Sequence, residues 1–428
     1  MTEPLRLGIA GLGTVGVGVV KIIRQKANLL AARTGRPVVI SAVSARSKDK
    51  DRGVNLSDYA WEDDPVALAT RDDVDVFVEL IGGSEGPAKQ ATEAAIAAGK
   101  DVVTANKALL AVHGQQLASA AEAADRVIRF EAAVAGGIPV VKALTEGLAG
   151  NQIDRVMGVM NGTCNYILTR MESSGLPYED IFEEANQLGY LEADPNLDVG
   201  GIDAGHKLAL LAAIAFGTKV NFDGVDLEGI GRITIADIKQ AADMGYRIKL
   251  LGVAQMTGRG LEQRMSPCLV PANSPLGQLE GGTNMVVLEG DHVGQIVLRG
   301  AGAGEGPTAS AVMSDVLDIA RDIRVSTFGQ PADTLENARA AASTTPAPYY
   351  LRMELHDKPG ALAKIATALG NEGVSVDRMR QYSHQDGPAP VLIVTHKTTR
   401  AALDLAIKGF AATGVVATDP VVLRIETV

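Results

Sequence analysis

Near the start of the chain three glycines stand at fixed intervals, Gly11-Leu12-Gly13-Thr14-Val15-Gly16, between an apolar run and a stretch of helical periodicity. Leu5–Ala10 before them predicts a strand, and Val15–Leu30 behind them predicts a helix. In that setting each glycine has a separate task. Gly11 allows the tight turn, Gly13 lets backbone approach a pyrophosphate with no Cβ between, and Gly16 lets helix and strand pack closely. The helix start then offers free N–H groups and the positive end of its dipole to an anion. A strand that feeds a crossover helix this way must return to a parallel neighbour. The rest of residues 1–135 keeps the alternation: strands at Val38–Ser44, Val74–Leu80, Asp101–Thr104 and Arg126–Phe130, with a helix at Pro87–Ala98 closed by Gly99. The expected architecture is α/β, a doubly wound parallel sheet with helices on both faces.

The second strand bears on the choice of dinucleotide. An acidic residue at its end would bind a ribose 2′-hydroxyl, but here it runs Ser44-Ala45-Arg46-Ser47-Lys48, with no carboxylate before Asp49. Arg46 is placed to pair with a 2′-phosphate and Lys48 is a second candidate, so NADP(H) is favoured, with NAD(H) use left open. The net charge of −11 excludes a general nucleic-acid binder, which needs clustered positive charge. Two cysteines, Cys164 and Cys268, make neither a disulfide framework nor a cysteine-rich zinc site, and a reducing cytoplasm is expected. The apolar N-terminal run is read as strand, turn and helix rather than a secretion signal, and no membrane span is expected, since none reaches the ~18 apolar residues one needs.

With 428 residues the chain should hold two or three domains. From 136 to 302 the order becomes mixed, as expected of an α+β substrate and dimerisation domain. Helices are expected near Ile138–Leu148, Cys164–Ser173, Tyr178–Leu188 and Asp203–Phe216, and strands at Ile153–Val159, Lys249–Ala254, Met285–Glu289 and Gln295–Leu298. After glycine-rich Ala301–Pro307 a helix, Thr308–Arg324, should return to the first domain, giving it residues 303–325 as well. Residues 326–348, with Pro331 and Ser343-Thr-Thr-Pro-Ala-Pro348, read as a linker. Residues 349–428 then show the order βαββαβ of a ferredoxin-like fold: strand Tyr349–Leu355, a helix after Pro359, strands in Val374–Tyr382 and Val391–His396, helix Thr399–Thr413 and strand Val415–Ile425.

One constellation carries chemistry. Asp203 and Lys207 lie one turn apart on a helix that is strongly apolar beyond them, so their shared face borders the interior. A surface ion pair is the ordinary meaning of such spacing. The preceding loop changes it: Gly189-Tyr190-Leu191-Glu192, Asp194 and Asp198 put carboxylates where an amino-acid ammonium can be held. A lysine beside them can exchange a proton with a carbonyl oxygen during hydride transfer. Lys107, after Thr104-Ala105-Asn106, sits at the C-terminal edge of the parallel sheet, where ligands of such sheets gather. His113, His292, His356, His384 and His396 are scattered without ligand spacing.

Together these segments resemble homoserine dehydrogenase. The matching pieces run in order through the first ~320 residues: GLGTVG at 11–16, the turn at Arg46, ELIGG at 79–83, TANKALL at 104–110, FEAAVAGGIPV at 130–140, NGTCNYIL at 161–168, GYLEADP at 189–195, DVGGIDAGHKLALL at 198–211 and GAGEGPTASAV at 302–312. The tail from LHDKPGALAKIATAL at 355–369 resembles an ACT domain, a regulatory amino-acid-binding module. The resemblance implies interconversion of L-aspartate 4-semialdehyde and L-homoserine with NADP(H), on the route to threonine, methionine and isoleucine. It gives Lys207 the proton-donor role, with Asp203 and Lys107 beside it. It puts substrate on Glu192, Asp198, Gly162, Thr163 and Tyr190. Cofactor contacts fall to Gly11–Gly16, Arg46, Lys48, Ile81, Gly82, Gly83, Thr104, Asn106, Lys107, Gly304 and Glu305. A Na+ site is implied at Glu131 with the carbonyls of Val134, Gly136 and Ile138. It also implies the monofunctional form without a kinase domain, a homodimer or homotetramer, and feedback by an amino acid, most naturally threonine, bound around Asp357, Gly360, Ala361 and Leu362. Two rivals are weaker: an aldehyde dehydrogenase using Cys164 as nucleophile with His206 as base, and a cofactor-bound sensor without turnover.

Overall fold

The computed structural model describes residues 3–191, 194–341, 345–382 and 387–427. Its first sheet is built from β1 (Leu5–Ala10), β2 (Val38–Ser44), β3 (Ala60–Glu62), β4 (Val76–Glu79), β5 (Asp101–Thr104) and β6 (Ile128–Arg129). Every pairing is parallel, in the order β3-β2-β1-β4-β5-β6. The strand order reverses between β1 and β4, and that switch point is where such sheets bind ligands. Helices cover both faces. Thr14–Thr34 and Glu305–Ala320 share one apolar layer with Leu7, Ile9 and Val78, and Leu68, Ala91 and Leu109 of three other helices close the opposite face. The returning helix begins three residues before the expected Thr308, at Glu305. It lies so close to Thr14–Thr34 that a Cβ on Gly18 would come 2.9 Å from the Ala309 Cβ.

The second sheet is larger and mixed. It contains β7 (Ile153–Val159), β8 (Val225–Leu227), β9 (Tyr246–Thr257), β10 (Gly260–Pro271), β11 (Thr283–Gly290) and β12 (Gly294–Ala301), and continues into β13 (Tyr349–Leu355), β14 (Val376–Gln381), β15 (Ala389–Thr395) and β16 (Val421–Ile425). The order is β12-β11-β7-β9-β10-β16-β13-β15-β14, with β8 also on β10. The tail is therefore joined edge to edge: β10 and β16 pair in parallel at Cys268/Arg424 and Leu269/Ile425. Within the tail the order β16-β13-β15-β14, with helices Ala361–Asn371 and Arg400–Thr413, is the ferredoxin-like arrangement.

Several elements differ from expectation for visible reasons. The helix expected over Ile138–Leu148 is a single turn, Val140–Lys142, that widens into a π turn at Ala143–Gly147. The strand expected over Val415–Ile425 forms only from Val421, after Pro420. Sequence pattern gave no sign of β10, because its Glu262, Gln263 and Arg264 are buried beside apolar residues and hide the alternation. Residues 326–341 lie along the body: Phe328 and Leu335 are buried, the Phe328 ring meets Phe130 at 5.6 Å, and Lys219 N–H donates to Glu336 O at 2.9 Å.

Candidate active site

The glycine loop carries out the three tasks separately. Gly11 has φ +100°, and a Cβ there would strike Leu80 O at 2.2 Å. A Cβ on Gly16 would strike Gly11 O at 2.0 Å, whereas at Gly13 it would meet nothing within 4 Å. Gly13 also caps the Thr14–Thr34 helix without a side-chain hydrogen bond, so the N–H groups at Thr14, Val15 and Gly16 have no capping side chain over them. Beside the loop opens a cleft of about 810 Å³, lined by Leu12, Gly13, Arg46, Arg52, Ile81 and Gly83 among others. An elongated phosphorylated dinucleotide fits this donor set. Arg46 lines the cleft as expected. Its other cations are Lys50 and Arg52, whereas Lys48 is exposed and is not part of the lining. Arg52 shapes the loop, donating from Nε to Leu12 O at 3.2 Å with its guanidinium 5.6 Å from the Trp61 ring centre. Glu305 pairs with Lys21 at 2.7 Å, and Gly304, with φ +114°, turns the chain into the helix; neither Gly304 nor Glu305 is part of the lining.

A buried carboxylate missed in the sequence braces the inner end of the cleft. Glu79, at the end of β4, accepts from the N–H of Ile81 at 2.8 Å and of Gly82 at 3.0 Å, while its other oxygen accepts from the Thr104 hydroxyl at 2.5 Å. The Asn106 amide donates to Gly83 O at 2.7 Å, and its oxygen caps the next helix through Leu109 N–H. Thr104 holds the Glu79 carboxylate and Asn106 holds backbone, rather than either facing open space, and they aim Lys107, the first residue of helix Lys107–Ala123. The signal available was position: an acid on an otherwise apolar parallel strand stays buried only if it is hydrogen-bonded.

Lys107 reaches across to the second domain. Its Nζ lies 2.9 Å from one oxygen of Asp203, and Lys207 Nζ lies 2.6 Å from the other and 2.8 Å from Met160 O. Two ammonium groups on one buried carboxylate have a clear electrostatic result. Burial by itself pushes the Asp203 carboxyl up, and Lys207 and Lys107 reverse this and hold it well below the usual aspartate range. Asn161 completes the cluster, its amide donating to Asp198 at 2.8 Å and to Asp203 at 3.2 Å while its oxygen accepts from Cys164 N–H. Asn161 caps helix Gly162–Ser174, and an Asn just before a helix was the clue available. Gly162 and Thr163 open that helix; the Thr163 hydroxyl donates to Tyr190 O at 2.9 Å, and the Tyr190 ring stacks on Tyr166 at 4.6 Å. Glu192 and His384 lie outside the described residues.

Cys164 is not built as a nucleophile. It is fully buried, its thiol donates to Asp198 O at 3.3 Å, and burial with the nearby Asp198 and Asp203 pushes its pKa well up. His206 rests 4.1 Å from the Phe222 ring, and burial and Lys107 lower its pKa.

Among the described residues no group of three or more His, Cys, Asp or Glu is arranged to hold a metal ion, so a cation near Glu131 would depend on backbone carbonyls. The turn suits that: Ala135 and Gly136 have φ +56° and +52°, a conformation that re-aims successive carbonyls. Ile138 O accepts from Val140 N–H at 2.8 Å, and the Glu131 oxygens accept from Val141 and Lys142 N–H at 2.9 and 2.8 Å. Burial and Asp315 push the Glu131 carboxyl up to about 7, an environment a cation would relieve. In the tail Gly360, φ +82°, starts helix Ala361–Asn371 with Leu362 in its first turn and exposed Asp357 just before it. The Ala361 N–H already donates to Lys358 O at 3.0 Å, which leaves one donor fewer for a ligand there.

Fold and site together define a dinucleotide-dependent oxidoreductase with a buried cluster of lysines and carboxylates beside the cofactor loop. Comparison with known proteins gives the same answer more closely. The profile described as "Homoserine dehydrogenase, NAD binding domain" matches residues 11–131, "Homoserine dehydrogenase" matches 139–317, and "ACT domain" matches 349–408. The homoserine dehydrogenases of Neisseria gonorrhoeae and Pseudomonas aeruginosa are 43% and 40% identical, each over 99% of both chains. The crystal structure of a homoserine dehydrogenase from Thiobacillus denitrificans superposes with TM-score 0.93 at 39% identity, over 99% of this chain and 98% of that one. A hyperthermophilic archaeal homoserine dehydrogenase in complex with NADPH matches 74% of this chain and 97% of its own, with TM-score 0.63 and 28% identity. The chain belongs to the homoserine dehydrogenases, a family of oxidoreductases, and carries an ACT domain at its C-terminal end. No described helix is long and apolar enough to cross a membrane.

Proposed function

We propose that this chain reduces L-aspartate 4-semialdehyde to L-homoserine with NADPH, and runs the reverse reaction with NADP, in the biosynthesis of threonine, methionine and isoleucine. Bound NADPH supplies the hydride. Lys207 gives a proton to the aldehyde oxygen, and Asp203 keeps that ammonium in place. Lys107 sits on the opposite oxygen of Asp203, beside the loop that Asn106 and Glu79 fix, and so joins the cofactor cleft to the substrate pocket. Glu192, Asp198, Gly162, Thr163 and Tyr190 hold the substrate's amino-acid end. Arg46 favours the 2′-phosphate, with Arg52 and Lys50 in support. Na+ at Glu131, Val134, Gly136 and Ile138 steadies the turn between the two domains. Threonine acts through the ACT domain around Asp357–Leu362, in a cytoplasmic dimer or tetramer.

The observation that carries this reading is the pair of lysines on one buried carboxylate, Lys207 at 2.6 Å and Lys107 at 2.9 Å from Asp203. The test follows NADPH absorbance with aspartate semialdehyde for the wild type and Lys207→Ala, with and without L-threonine. Wild-type turnover is expected to fall by ~10²–10⁴ in the variant while NADPH still binds, which is the size of a general-acid contribution. Folded wild type that binds NADPH and never turns over would overturn the assignment, and turnover indifferent to threonine would remove the effector.

A further inference from the structure

One of the buried lysines, deeper than Lys207, has no part in the chemistry above. Lys249 on β9 is only 2% exposed, and an ammonium that deep must be doing something for its neighbours. Its Nζ donates to the Asn165 side-chain oxygen at 2.9 Å and to Leu279 O. Asn165, 1% exposed, in turn donates from its amide to Gly281 O at 2.7 Å. Lys249 and Asn165 thus hold the carbonyls of one turn, Leu279–Gly282, where Gly281 has φ +63°.

That turn leans on the substrate pocket. A Cβ on Gly162 would meet Gly282 O at 2.6 Å, so the turn is pressed against the first residue of helix Gly162–Ser174. A Cβ on Gly282 would lie 3.8 Å from Tyr190 Cε1, so the same turn backs the Tyr190 ring. Tyr190 is held from its other sides by the Thr163 hydroxyl and the Tyr166 ring. The contacts run unbroken from Lys249 through the turn to Gly162, Thr163 and Tyr190.

We propose that Lys249 is a positioning residue for the substrate pocket, fixing the Leu279–Gly282 turn that sets the separation of Tyr190 from Gly162 and Thr163. This rests on the assignment of Gly162, Thr163 and Tyr190 to substrate. Charged groups face Lys249 from three elements: Arg247 on its own strand, Glu172 on helix Gly162–Ser174 and Glu280 on the turn. Arg247 pairs with both acids, at 3.2 and 3.1 Å. Burial, then Arg247, pulls the Lys249 pKa down to about 8, so the third donor and the charge of its ammonium are lost just above neutrality.

The test compares wild type with Lys249→Met and Asn165→Asp. Asn165→Asp keeps an acceptor for Lys249, and so keeps the buried ammonium paired, but removes the donor to Gly281 O. In both variants the KM for the semialdehyde should rise about tenfold, the effect expected when a buried polar contact behind a pocket is lost. kcat and the KM for NADPH should stay within about twofold. In wild type the semialdehyde KM should climb as pH passes about 8, and that climb should vanish in Lys249→Met. Amide exchange across residues 186–191, measured without substrate, should quicken in both variants. It reports on how firmly the turn seats the Tyr190 segment, whether or not the semialdehyde proves to be the substrate. If Lys249→Met does not fold, Asn165→Asp decides alone. Unchanged exchange, an unchanged KM, or a loss shared equally between kcat and both KM values would overturn the proposal.

Discussion

Asp203 is the residue on which the site turns. It is 6% exposed, and burial alone would push its carboxyl pKa up; Lys207 and Lys107 reverse that. Asn in its place keeps the shape and removes the charge, so two ammonium groups would face each other across a neutral amide. Asp203→Asn should therefore lower kcat by ~10²-fold or more while NADPH binding stays near normal, checked by steady-state kinetics beside a cofactor titration. The variant should also report the linkage. A carboxyl whose folded pKa lies below its unfolded value contributes stability that is complete above the unfolded value and is lost as pH falls through the folded one. The melting-temperature difference between wild type and Asp203→Asn should be largest near neutral pH and shrink in acid. A difference that grows in acid would mean that the lysines do not hold the carboxyl down. The sequence put Asp203 and Lys207 on one face and Lys107 at the sheet edge. It could not show that Lys107 crosses to Asp203, nor that Asn161 bridges Asp198 and Asp203, because those contacts join segments far apart in the chain.

At the scale of elements, the strand, glycine loop and helix at the start of the chain were legible because each rule is local: an apolar strand, three spaced glycines, a helical period. Their geometry separates two substitutions that look alike. Gly16→Ala drives a methyl against Gly11 O at 2.0 Å and has to move backbone. It should cost about 1–3 kcal/mol of stability, the size of an overpacked contact, and appear as a lower melting temperature of the apo protein. Gly13→Ala meets no protein atom within 4 Å, so the apo protein should melt as wild type does. Its methyl would stand where the pyrophosphate approaches, and the Kd for NADPH should rise at least about tenfold. If Gly13→Ala bound NADPH like wild type, the cofactor would have to cross the sheet elsewhere. β10 marks the opposite limit of legibility. Its polar side chains are buried against distant partners: Thr345 donates to Glu262 at 3.1 Å, Gln263 donates to Asn221 O at 3.0 Å, and Arg264 meets Glu426 from the tail. A strand whose polar residues are buried with its apolar ones carries no alternation in its own sequence.

At the scale of the whole molecule, the ACT domain is held by more than a tether. β16 lies on the edge of β10, Glu426 sits between Arg264 and Arg424, and Tyr349 accepts from Arg424 at 2.9 Å. A second joint lies on helix Ile235–Asp243, where Asp237, with no exposure, accepts from the Tyr350 hydroxyl at 2.9 Å and from Arg352 at 2.5 Å. That helix leads into β9, and the loop before it is pinned to the active-site segment, with Ile230 N–H on Val199 O at 2.9 Å. A displacement of the ACT domain therefore has two physical routes to Asp198 and Lys249, a condition for the effector coupling proposed above. It also means that removing the domain would do more than take away the proposed effector site. A chain ending at residue 341 would keep β8 on Gln263–Met265 but bare the Cys268–Leu269 stretch of β10 and leave Arg264 without Glu426, and breaking one partner of a buried ion pair costs about 3–5 kcal/mol. Residues 1–341 should therefore aggregate or lose fixed tertiary structure in size-exclusion chromatography and near-ultraviolet circular dichroism, while Arg352→Met in the full chain should stay soluble but melt lower. A monodisperse, fully active 1–341 chain would show instead that the shared sheet is a resting place for the regulator and that the two halves fold independently.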